Sequence, residues 1–110
     1  MPLLERTRVE VYLPDLPAAE YQNLFVSFQK EFTYTFGGCS TIKGLEGNYL
    51  SRAGDQIADR INVIYVDMPL GLSTNLDSVT RYVLELRHAA LQTLREEDVL
   101  LVVGQVYHVL

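Results

Sequence analysis

The chain is poor in the groups that usually announce a chemistry. It holds one cysteine, Cys39, two histidines and no tryptophan. A single cysteine excludes an internal disulfide and fits a reducing compartment. Two histidines and one cysteine, far apart, give no metal-ligand spacing, so no metal and no cofactor are expected. Positive charge is also scarce. Lys30 and Lys43 are the lysines, the seven arginines are scattered, and the net charge is −5. Nucleic-acid binding needs a basic patch facing the phosphates, and none is visible here. The acidic balance argues equally against an anionic membrane surface. The longest pure apolar run, Val99–Val103, falls far short of the ~20 residues of a membrane span. The first residues, Met-Pro-Leu-Leu-Glu-Arg-Thr-Arg, lack the apolar core of a signal peptide. A soluble cytoplasmic protein with no nucleic-acid or membrane partner is the expectation.

What the chain does have is enough apolar side chain, 48%, to bury one core in 110 residues. A single domain over 1–110 is expected. Its hydrophobic periods follow a mirrored order. Thr7, Val9, Val11 and Leu13 alternate with Arg8, Glu10 and Tyr12, as in a strand with one face buried. Pro14-Asp15-Leu16-Pro17 ends it, with Asp15 the candidate acceptor for helix-start amides. Tyr21, Leu24, Phe25, Phe28 and Phe32 recur at helical spacing, which predicts a helix over 17–33 stopped by Gly37-Gly38. Thr33-Tyr34-Thr35-Phe36 should weaken its last turn. Extended structure is expected from Cys39 to Ser51, with Gly44 and Gly47 marking a bulge, and then a turn at Arg52–Asp55. A third strand, Asp59–Met68, is apolar on both faces. A second helix over 76–95 has Leu76, Val79, Val83, Leu86, Ala90 and Leu94 as its core stripe. Ser73, Thr74 and Asn75 precede it as possible caps. Leu84 and Leu91 fall off that stripe. The last strand, Asp98–Leu110, is again apolar on both faces.

The order βαββαβ predicts an α+β two-layer sandwich of the ferredoxin-like kind. It has a four-stranded antiparallel sheet ordered 4-1-3-2, with both helices on one face. Large apolar residues on the uncovered side of the third and fourth strands would be unusual for a monomer. A homodimer closing over that side is therefore expected.

Candidate chemistry is thin. Arg8, Glu10 and Tyr12 should share the open face near its centre, where a second subunit would enclose them and a small-molecule ligand could bind. The alternative is a structural ion pair or a solvated surface. His108 is the histidine placed on a strand, and it could act as a base near neutral pH with Glu10 opposite it. The alternative is a solvated residue near the chain end. Asp67, followed by Met68-Pro69, reads as a strand exit. Gly37-Gly38-Cys39-Ser40-Thr41 follows a helix and precedes a strand, the reverse of a phosphate loop. No GxSxG and no dinucleotide fingerprint occurs.

Three segments together are similar to a family of small uncharacterised bacterial proteins known as a domain of unknown function. They are Arg8-Val9-Glu10-Val11-Tyr12-Leu13-Pro14, Phe36-Gly37-Gly38-Cys39-Ser40-Thr41 and Gly47-Asn48-Tyr49-Leu50-Ser51. The resemblance spans about Thr7 to Val109. Where that family tends to carry tryptophan, this chain has Tyr49. The resemblance implies a compact single-domain bacterial protein and carries over no activity and no site residue.

These observations lead to a homodimeric ligand- or partner-binding module without catalysis. Two other readings compete with it. One is a cofactor-independent enzyme of the dimeric α+β barrel type, with Tyr12 and His108 as acid and base and Arg8 orienting the substrate. The other is a subunit of a hetero-complex docking through Leu84 and Leu91.

Overall fold

The computed structural model describes residues 2–94 and 99–110. The elements are β1 (Leu3–Pro14), α1 (Ala19–Phe36), β2 (Ser40–Leu50), β3 (Gln56–Met68), α2 (Leu72–Leu94) and β4 (Leu100–Val109). The four strands form one antiparallel sheet in the order β2-β3-β1-β4. Read from the β4 edge this is 4-1-3-2, with β1 and β3 in the centre. Among the described residues no helix is long and apolar enough to cross a membrane.

One alternating set of strand residues meets both helices. Val9 and Val11 of β1 and Ile64, Val66 and Met68 of β3 lie in one core cluster with Leu24, Phe25, Phe28 and Phe32 of α1 and Val79, Ala90 and Leu94 of α2. The register explains the match. Val9 stands opposite Val66 and Val11 opposite Ile64, and antiparallel partners share a face. The other set, Arg8, Glu10 and Tyr12 of β1 with Val63, Tyr65 and Asp67 of β3, therefore lies on the opposite, open face.

The helix α1 runs to Phe36, past the expected end. Phe32 packs near Phe28 and Phe36, and Phe36 meets the Tyr82 ring edge-on at 5.6 Å. That burial outweighs the poor helix propensity of Thr33–Thr35. Gly37 then caps the helix at φ 89° with its N–H on the Thr33 carbonyl. Asp15 is not the cap. Its N–H donates to the Arg60 carbonyl at 2.9 Å and its carboxylate accepts from the Asn62 amide at 3.2 Å, so it continues the pairing of β1 with β3 instead. The expected bulge in β2 is present between Ile42 and Leu45, with Gly44 at φ 69°.

The helix α2 begins earlier than expected, at Leu72, with non-helical backbone at Asn75. Asn75 donates its side-chain amide to the Gly71 carbonyl, so it holds a kink rather than a first turn. Leu76 just beyond the kink is 57% exposed, outside the core stripe assigned to it. Leu91 packs against the core while Leu84 is exposed, so the two do not make a joint docking pair. The ends of the second helix and last strand expected at Arg95 and Asp98 lie outside the described residues.

Candidate functional site

On the open face the central strands carry charge at one end. Arg8 of β1 stands opposite Asp67 of β3, and its guanidinium donates through Nε to Oδ1 at 2.7 Å and through Nη2 to Oδ2 at 2.9 Å. The same guanidinium lies 4.6 Å from the centre of the Tyr65 ring. His108, on the edge strand β4, reaches across β1 to place Nε2 2.9 Å from Asp67 Oδ2. Asp67 thus joins residues of three strands. Its β4-side neighbour in this row is Gly104, opposite Arg8, which leaves open space where a side chain would stand.

Beside this cluster Tyr12 donates its hydroxyl to Glu10 Oε1 at 3.0 Å. The two are separated by one residue on β1, so the pleat places both on the same side.

The electrostatics follow from these contacts. The hydrogen bond from Arg8, then that from His108, hold the Asp67 carboxyl below its ordinary range against the opposing effect of burial. The hydrogen bond to Asp67 raises the Arg8 guanidinium further, so it stays charged. Donation to the Glu10 carboxylate raises the Tyr12 phenol, which stays protonated at neutral pH. Among the described residues no buried side-chain nitrogen or oxygen lacks a partner.

The expected residues are therefore split into two groups. Arg8 and His108 meet through Asp67, and Glu10 and Tyr12 meet each other. Glu10 does not face His108. Its ladder partners are Tyr65 and Val102, while His108 pairs with Leu4. The reason is register, which sets His108 six residues beyond the Glu10 row along β4. Asp67 was missed as a member of the cluster. It alternates with the buried Val66 and Met68, which puts it on the Tyr65 side of β3. Pairing that side with the Arg8 side of β1 would have exposed the opposite charges.

Clefts of the molecule reach this face at Tyr65 and Asp67 but do not open over Arg8, Glu10 or Tyr12. One of about 340 Å³ runs from the Gly37–Ser40 loop to Tyr65 and Asp67. A second, about 360 Å³, sits between the helices, walled by Leu24, Phe28, Tyr82 and Leu86. Neither is lined by Arg8, Glu10 or Tyr12. Compared with known proteins, the chain matches no family model, no curated protein and no solved structure.

Proposed function

We propose that the protein is a homodimeric module of ferredoxin-like build that binds a small ligand or partner on its open sheet face, without catalysis. The observation supporting this is the coexistence on one face of a pre-positioned polar cluster and uncovered apolar side chains. Leu100 and Val102 of β4 and Ile42 and Leu45 of β2 are all exposed there. Rigid, internally bonded polar groups beside apolar surface suit recognition, because little side-chain entropy is lost on contact. A catalytic role fits less well. The Tyr12 proton already serves Glu10, and two donors of Arg8 already serve Asp67. Native mass spectrometry of protein purified without denaturation tests the reading. A co-purified small molecule that is lost in Asp67→Asn supports it. An empty protein that also fails to bind any member of a broad metabolite panel overturns it.

One contact favours a second reading, an enzyme of the dimeric α+β barrel type. The 2.9 Å contact between His108 Nε2 and Asp67 is the arrangement that orients an imidazole as a base. In that reading Nδ1 of His108 would take the proton, Tyr12 would act as acid and Arg8 would orient the substrate. Turnover abolished by His108→Gln, with substrate binding retained, separates this reading from the first.

A further inference from the structure

The open face is divided along its length, and the division comes from the register. Ile42, Val63, Tyr12 and Leu100 occupy a single row across all four strands. The next row outward joins Leu45, Ile61 and Pro14. Beyond Pro14 the β1 ladder ends, so β2 and β3 continue as a two-stranded arm, with Tyr49 opposite Ile57. In the other direction lie Arg8, Asp67, Gly104 and His108. One end of the face is therefore mainly apolar, broken by Asp59 opposite Gly47 on the arm, and the other carries the ion cluster.

Within the row Val63 is already buried and Tyr12 half-buried, so exposure at this end lies on the row's flanks and on the arm. Ile42 is 47% exposed, Leu45 43%, Tyr49 55%, Ile57 36% and Leu100 56%. Side chains of this size and exposure present on the order of 400 Å², about half of the ~800 Å² that a standard interface buries per partner. The half-buried Tyr12 and Ile61 add to it. A two-stranded ribbon with apolar side chains is marginal in water by itself, which gives the arm its own need for a cover.

We propose that a second copy of this chain seats on the apolar end alone, across the Ile42–Val63–Tyr12–Leu100 row, and leaves Arg8, Asp67 and His108 uncovered at its rim. This rests on the dimeric reading above and adds which part of the face is shared and which stays open to ligand. The chemistry selects a second copy as the occupant. A twofold contact sets the same patch against itself, and an apolar row is complementary to itself. The ion cluster has less to gain from such a contact, because Arg8 and Asp67 already satisfy each other and burying them further costs desolvation. Tyr12 suits the central row, because its hydroxyl is already satisfied by Glu10 and its ring offers apolar area.

The test is the dimer dissociation constant of the full chain, measured by sedimentation over a dilution series. The variants are Leu100→Glu and Ile42→Glu in the apolar row, His108→Gln at the polar end and Leu84→Glu on the outer side of α2. Circular dichroism checks each fold, and Leu100→Ala serves as a milder variant at a position already exposed. The expected result is a wild-type dimer weakened on the order of 100-fold or more by either row substitution, since each acts twice in a twofold contact. Leu100→Ala should weaken it in the same direction, and His108→Gln and Leu84→Glu should leave it within about threefold, the range of near-neutral interface contacts. A wild-type dimer insensitive to both row substitutions overturns the inference and keeps the dimeric reading. One weakened equally by His108→Gln does the same, since the whole face would then be covered. A wild-type monomer at micromolar concentration overturns both.

Discussion

Arg8 and Asp67 stand opposite each other in the β1–β3 ladder, and the guanidinium holds both carboxylate oxygens, at 2.7 and 2.9 Å. The pair is also the hub for His108. A bidentate grip between adjacent central strands fixes register as well as charge, because slipping by one residue would send the partners to opposite faces.

Asp67→Asn keeps the shape but removes the charge that two neighbours use. The Asp67 side chain is 17% exposed and that of Arg8 34%, so solvent screens part of the effect. The expected loss is roughly 1–2 kcal/mol of unfolding free energy, the low end for a hydrogen bond to a charged group once that screening is counted. Urea denaturation of the variant beside the wild type measures it.

The same carboxyl sets an acid limb. Its folded value lies below the ordinary 3.8, so the unfolded chain takes up the proton first. The stabilisation is therefore fully present above that value and is lost as pH falls through the lower, folded one. The stability gap between wild type and Asp67→Asn should hold from neutral pH to about pH 5 and narrow progressively below pH 4. A series of urea midpoints across that interval checks the sign, and a gap that widens on acidification would contradict it.

Gly44 holds the β2 bulge with φ 69°, and its N–H donates to the Asn62 side chain at 3.0 Å. A side chain there meets the left-handed penalty, and its Cβ would lie 2.9 Å from the Arg60 guanidinium. The guanidinium can swing aside, so the backbone decides the cost. Gly44→Ala should destabilise by about 1 kcal/mol. Its thermal midpoint should fall by several degrees, on the usual scaling for a domain of this size.

Tyr82 of α2 donates to Glu31 of α1 at 2.9 Å. Burial, reinforced by that carboxylate, pushes the phenol well above its ordinary 10.0. The neutral form is favoured by folding, so this contribution is present below pH 10 and is lost as pH rises beyond it. Tyr82→Phe should cost about 1 kcal/mol at neutral pH, the net worth of one hydrogen bond. Ultraviolet titration of the folded protein to pH 11 should give nearly the same phenolate absorbance for wild type and variant. A clear drop in the variant would show that Tyr82 ionises with the others.

The alternation of Thr7–Leu13 and the aromatic stripe from Tyr21 to Phe32 determined the strand, the helix and their buried sides. Both patterns are local, with periods set by backbone geometry. The same holds for the Gly37 cap and the Gly44 bulge, where backbone conformation selects glycine. The order βαββαβ followed from these periods in turn. The sequence also placed Arg8, Glu10 and Tyr12 together, since every second residue of a strand shares a side. Partners across the sheet were another matter. Asp67 lies 59 residues from Arg8, and His108 lies 41 from Asp67. Which residues stand side by side there depends on register, and register is decided by how the two helices and the central strands fill one core. Exposure of Leu76 and partial burial of Leu91 were decided in the same way, by a kink at Asn75 and by packing that helical period alone does not encode.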